Sequence, residues 1–303
     1  VGSQKMIRSL TRMIRAYNPN FVVLHYRLGM GLGYRRPDRE CRPTGDWIRV
    51  VEGDSWVREW PDRVEEGWFY HWRGRRVFNC RYGWYLMNLS DPGWREYWVG
   101  EVLRQLVANE NDGVFGDSFC VPNYLGPVFD PPLPAINSTF ESEWSEALED
   151  FSAFVKARLG PYYWIPNVGA WVTLRDRTDY SAADGVMVEG FALWGPGSYL
   201  HPADWRLQMD RVLGMVGAGK VVILQSYARE PRDRMLALAS SLLVKGSRTY
   251  INIEWGMGME WFPEYGVDIG RPVGGVPRSV DELLDPSSGV YVRRYTKGLV
   301  LVN

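Results

Sequence analysis

Apolar positions recur at helical spacing over residues 5–17, where Met6, Ile7, Leu10, Met13, Ile14 and Tyr17 follow a 3.6-residue period. Asn18-Pro19 stops that helix, and Phe21-Val-Val-Leu-His-Tyr26 follows as an apolar run of buried-strand length. From Arg27 to about Met87 the period dissolves into Gly, Pro, Arg and Trp, which predicts a long excursion of the kind that usually carries function. Order returns at Asp91-Pro92, an N-cap and first-turn proline ahead of a helix whose inward face reads Trp94, Trp98, Val102 and Leu106. The strand Gly113-Val-Phe-Gly116 comes next and ends at Asp117. Ser138-Thr-Phe-Glu141 is a capping box for a helix carrying Phe140, Trp144, Leu148, Phe151 and Val155, which Gly160-Pro161 terminates.

Further strand and helix patterns alternate after that. Tyr162 to Pro166 leads into an irregular connection, and Gly185-Val-Met-Val188 ends at Glu189. A helix from about Ala203 to Val216 precedes Val221-Val-Ile-Leu-Gln225, and one from about Arg232 to Lys245 precedes Thr249-Tyr-Ile-Asn-Ile253. Gly289-Val-Tyr-Val-Arg293 and Leu299-Val-Leu-Val302 flank Thr296-Lys-Gly298 and predict a terminal β-hairpin. Such alternation is the signature of a parallel sheet, and it favours an α/β fold of the (β/α)8 TIM-barrel type over a sandwich. A barrel domain over residues 1–288, with residues 28–88 as a long insert and 289–303 as the hairpin, accounts for the pattern. Core strands are evident near residues 21, 113, 162, 185, 221 and 249, whereas a closed barrel needs eight. Either Trp84 to Leu89 supplies another, or the chain lacks its beginning.

Composition narrows the function. The 303 residues carry 35 Lys plus Arg against 36 Asp plus Glu, without a run of five like charges, which argues against a nucleic-acid or anionic-membrane surface. No stretch of 18 apolar residues is present to span a membrane. Aromatic residues reach 14%, with 15 Trp, more than packing alone asks for, so some rings are expected to line a ligand surface. They concentrate in the excursion as Trp47, Trp56, Trp60, Trp68, Phe69, Tyr70, Trp72, Trp84 and Tyr85. Most are expected to form the loop's own core, and two or three to face ligand. The cysteines, Cys41, Cys80 and Cys120, are too few for a disulfide framework or a zinc ribbon, although a Cys41–Cys80 bridge would fit an oxidising compartment.

The sharpest chemical feature is a pair of acids in matching contexts, Gly113-Val-Phe-Gly-Asp117 and Gly185-Val-Met-Val-Glu189. In each, a glycine opens a short apolar strand and a carboxylate stands at its C-terminal end, where barrel enzymes place catalytic groups. Two carboxylates suit glycoside hydrolysis, one as general acid and the other as nucleophile or base. Either acid alone would more often cap a loop or pair with an arginine; their equivalent positions favour function. Glu189 takes the acid role and Asp117 that of nucleophile or electrostatic stabiliser, in an order that sequence leaves open. Other strand ends supply His25, Tyr26 and Arg27, then Asn167, Gln225, Tyr227, Asn252 and Glu254, all of types that bind sugar hydroxyls. Trp84 joins them as a stacking candidate, and Glu254 is a second candidate for the acid role.

Competing motifs are weak. Gly29-Met-Gly31-Leu-Gly33 lacks the glycine and the helix of a dinucleotide fingerprint, so no cofactor is expected. His25, His71 and His201 occur in no metal-binding spacing, which leaves a metal-dependent hydrolase on Asp117, Glu189 and His25 as a minor alternative. No Gly-x-Ser-x-Gly elbow occurs. Asn88-Leu-Ser90 and Asn137-Ser-Thr139 match a glycosylation pattern short enough for chance.

Several of these segments resemble a known family. Tyr85-Leu-Met-Asn-Leu-Ser-Asp-Pro-Gly-Trp-Arg-Glu-Tyr-Trp98, Asp112-Gly-Val-Phe-Gly-Asp117-Ser and Gly185-Val-Met-Val-Glu189 are similar to glycoside hydrolase barrels related to the endo-α-1,4-polygalactosaminidase clan, a hypothetical glycosyl hydrolase-like family. So are Trp261-Phe-Pro-Glu-Tyr-Gly-Val-Asp268 and Arg294-Tyr-Thr-Lys-Gly-Leu-Val-Leu-Val-Asn303. The resemblance implies that Asp117 ends the fourth barrel strand and Glu189 the sixth, as the catalytic pair. It also implies that Phe21 to Tyr26 is the third strand and Val1-Gly-Ser3 the tail of the second, with the rest upstream and with relatives continuing beyond Asn303. The expected protein is a secreted or surface-associated glycosidase acting on a polysaccharide. The rival expectation is a non-catalytic carbohydrate-binding or structural barrel of an extracellular assembly.

Overall fold

The computed structural model describes residues 4–33, 38–42, 50–52, 55–57, 64–135, 138–254 and 260–303. The expectations for Val1-Gly-Ser3, Trp47 and Trp60 fall outside these residues. The chain forms two compact units, one of residues 1–167 with 176–183 and one of residues 168–175 with 184–303.

In the first unit, α1 (Gln4–Tyr17) leads to β1 (Leu24–Leu28), α2 (Pro92–Asn109) to β2 (Gly113–Asp117), and α3 (Ser138–Leu159) to β3 (Tyr163–Pro166). The three strands form a parallel sheet with β2 in the middle, Tyr26 and Ile165 flanking Phe115 in register. Asp91 caps α2 by accepting the Trp94 N–H at 3.0 Å, and Pro92 fills the first turn. Trp94, Trp98, Val102 and Leu106 of α2 are fully buried, as their spacing predicts. Trp98 packs edge-on against Phe151 and Trp164, and its indole N–H reaches the Leu28 carbonyl at 2.8 Å, so one ring fixes α2 to both the sheet and α3. Burying a ring of this size makes truncation to alanine cost about 3–5 kcal/mol.

The segment Trp84–Leu86 does form a strand, but not one of the parallel set. It pairs antiparallel with Phe78–Asn79 and Gly31–Leu32 in a four-stranded sheet that Phe129–Asp130 completes. Its alternating burial, with Trp84 and Leu86 inside, comes from this sheet within the excursion. A disulfide joins Cys41 to Cys80 with a Cα–Cα distance of 5.0 Å and staples the excursion.

In the second unit, β4 (Gly185–Glu189), β5 (Val221–Tyr227) and β6 (Thr249–Glu254) form another three-stranded parallel sheet in that order, with α4 (Pro202–Gly217) and α5 (Pro231–Leu243) as crossovers. Val186, Val188, Val222 and Leu224 are fully buried, as are Met209 and Val212 of α4. The hairpin of β7 (Val290–Tyr295) and β8 (Gly298–Val302) is held to the end of α5, where Arg293 and Tyr295 donate to the carbonyls of Leu242 and Leu243. The α/β alternation is therefore as the sequence predicts, in the form of two three-stranded parallel sheets.

Candidate active site

Asp117 closes β2 at its C-terminal end, and the period of two in a strand decides what it meets. Tyr26, Phe115 and Asp117 share one sheet face: the Tyr26 and Phe115 rings lie 6.0 Å apart, and the Tyr26 hydroxyl donates to Asp117 Oδ2 at 2.7 Å. The other carboxylate oxygen accepts from Asn167 Nδ2 at 2.9 Å and from the Ser118 N–H at 2.8 Å, with Ser118 in the left-handed region at φ 55°. Asn167 is itself fixed by backbone bonds from its N–H to Gly116 and from the Phe119 N–H to its carbonyl, each 2.8 Å. Tyr26, Asp117 and Asn167, three of the residues singled out from sequence, thus form one constellation.

His25 and Arg27 do not join it. Alternation sends them to the opposite face of β1, where the Arg27 guanidinium lies over the rings of Tyr97 and Trp98 of α2. Burial, helped by the charges of Arg27 and Arg104, pushes the His25 imidazole from its ordinary 6.5 down to about 4, so it is neutral near pH 7. Trp84 is likewise removed from any ligand surface. It is 2% exposed, packs edge-on against Phe129, and lies so close to Gly31 that a side chain there would overlap its ring. Trp68 and Phe69 are core as well. Neither Trp47 nor Trp60 lies among the described residues.

In the second unit the parity is favourable throughout. Register sets Glu189 beside Gln225, Gln225 beside Asn252, and Tyr227 beside Glu254, all on the face opposite the buried Val188 and Leu224. The Tyr227 hydroxyl donates to Glu189 Oε1 at 2.5 Å. Asn252 Nδ2 donates to Gln225 Oε1 at 2.8 Å, and Gln225 Nε2 approaches Glu254 Oε2 at 3.3 Å. Glu189, Gln225, Tyr227, Asn252 and Glu254 are therefore one polar surface at the strand ends.

Trp194 was not singled out from sequence. It belongs to the turn after Glu189, stacks on Tyr227 with planes 10° apart, and remains 46% exposed. The only signal for it is Gly190, one residue beyond the acid, whose φ of 75° and bare Cα admit the indole. No group of three His, Cys, Asp or Glu side chains placed to hold a metal occurs among the described residues.

Parallel strands that alternate with helices, two of them ending in carboxylates that accept from a tyrosine hydroxyl, define an α/β protein with acids at its strand ends. The chain belongs to hypothetical glycosyl hydrolase family 15, which it matches over residues 15–299, and it is a glycosidase of that family. Its fold is similar to the glycoside hydrolase domain of PelA from Pseudomonas aeruginosa, at 14% identity and a TM-score of 0.50 over 84% of this chain and 83% of that one. A variant of the same domain matches over the same shares with a TM-score of 0.48. No curated protein matches the chain.

Proposed function

We propose that the protein hydrolyses glycosidic bonds of a polysaccharide by two-carboxylate chemistry, with Asp117 and Glu189 as the pair. The observation that carries this reading is the shared local design. Each acid ends a glycine-opened parallel strand, and each accepts a hydrogen bond from a tyrosine on the adjacent strand, Tyr26 at 2.7 Å and Tyr227 at 2.5 Å. Each tyrosine hydroxyl donates to its carboxylate and orients it at the strand end. Asp117 is held by a phenol, an amide and a backbone N–H.

Glu189 protonates the leaving oxygen, and Asp117 acts as nucleophile or stabilises the oxocarbenium-like transition state. Asn167, Gln225, Asn252 and Glu254 supply hydroxyl contacts. The two parallel sheets are read as portions of a (β/α)8-type barrel, supported by the strand and helix order. Export to an oxidising, extracellular or cell-surface location is supported by the Cys41–Cys80 bridge.

The test is release of new reducing ends from a panel of polysaccharides, including an α-1,4-linked galactosaminan, by purified protein. The reading predicts release from at least one; absence of release from all of them overturns it.

A further inference from the structure

We infer that the indole of Trp194 is the stacking platform for a sugar ring bound beside Glu189, an inference that rests on the glycosidase reading above. Single exposed apolar residues are common on protein surfaces and normally require no explanation. Trp194 differs because the chain goes to unusual lengths to hold it still. Gly190 and Ala192 both adopt left-handed backbone, at φ 75° and 63°, and the alanine does so at a steric cost. The turn is closed by hydrogen bonds from the Trp194 N–H to Ser198 O at 3.0 Å and from the Leu200 N–H to Ala192 O at 3.1 Å. It is then pinned to α5 by the buried Asp233, which accepts from the Tyr199 hydroxyl at 2.5 Å and the Gly197 N–H at 3.3 Å.

This scaffolding leaves nearly half of the tryptophan exposed. What it achieves is orientation: the ring lies parallel to Tyr227, whose hydroxyl is bonded to Glu189, so one tyrosine joins a flat apolar surface to a carboxylate. A pyranose has the complementary chemistry, with an apolar C–H face and hydroxyls around its edge. Asn252, on the same sheet face as Tyr227 and held by the buried Gln225, offers an amide to those hydroxyls. A ring fixed in advance binds without the entropy cost of ordering a mobile one.

The experiment measures binding separately from cleavage. Tryptophan fluorescence and calorimetry are recorded with Asp117→Asn protein and four hexaoses: cellohexaose, maltohexaose, chitohexaose and α-1,4-galactosamine hexamer. At least one is expected to bind, and adding Trp194→Ala to weaken it about tenfold or more, as loss of one stacked ring face implies. Trp194→Phe, which keeps a flat ring, should stay within about threefold. Gly190→Ala, which keeps the tryptophan but displaces it, should weaken binding as the alanine variant does. The inference is overturned if no hexaose binds, or if Trp194→Ala binds as tightly as its parent with an unchanged melting curve. Binding that depends on Trp194 in a protein that cleaves no glycan would retain the platform and reject the hydrolytic reading; cleavage with binding indifferent to Trp194 would do the reverse.

Discussion

Acidification should destabilise the first unit through His25, and the size of the effect follows from its surroundings. The imidazole sits half-buried on the α2 side of β1, where burial first, and then the charges of Arg27 and Arg104, lower its pKa to about 4. The unfolded chain takes up the same proton near 6.5. Above pH 6.5 both states are neutral and the contribution is nil. As pH falls from 6.5 toward 4 the unfolded state alone gains the proton, so stability is lost, and below 4 the loss is complete. Between pH 7.5 and 4.5 the loss amounts to roughly 2–3 kcal/mol. Carboxylates weaken the fold over part of the same range, so the decisive comparison is with His25→Gln, which cannot titrate there. Urea unfolding at pH 7.5, 6.0 and 4.5, followed by tryptophan fluorescence, should give a pH dependence flatter by about that amount in the variant. Equal pH dependences in the two proteins would refute the reasoning.

Other expectations follow from single contacts. Gly116→Ala places a methyl group onto the buried ring of Trp164 and should lower stability by about 1–3 kcal/mol, read as a lower melting temperature. Thiol titration of the unfolded protein should find only Cys120 before reduction and all three cysteines after it. Removing the Cys41–Cys80 bridge, which closes a separation of 39 residues, should cost about 4 kcal/mol in a chain-entropy account. Tyr227→Phe removes the donor to Glu189 and should lower kcat about tenfold with the melting curve unchanged, as loss of one orienting hydrogen bond of about 1.4 kcal/mol implies.

Much of the fold was legible because the signals were local. Asp91-Pro92 and Ser138 start α2 and α3 where expected, and the glycine-opened apolar runs at 113 and 185 are strands ending in the two acids. Phe21 to Val23 has strand composition but lies outside β1, which begins at Leu24, where pairing with Gly113 of β2 starts. Trp84 to Leu86 has strand composition too, yet composition carries nothing about a partner, and its partners are antiparallel.

The candidate site divides in the same way. Residue type and strand-end position pick out Asn167, Gln225, Tyr227, Asn252 and Glu254, which the structure places on a face with, or in a hydrogen bond to, one of the two acids. His25 and Arg27 flank Tyr26 in sequence, but strict alternation sends them to the other face, a distinction that treating consecutive residues as a set overlooks. Trp194 lies in an irregular turn without period, and only the left-handed Gly190 and the tie to Asp233 reveal its place.

The central claim is that Asp117 and Glu189 carry the chemistry. The direct measurement is the rate of cleavage of one susceptible polysaccharide by wild type, Asp117→Asn and Glu189→Gln, with melting curves recorded alongside. The account predicts that each isosteric change lowers kcat on the order of 10²–10⁴-fold while the protein stays folded. Wild-type kcat in either folded variant would contradict it.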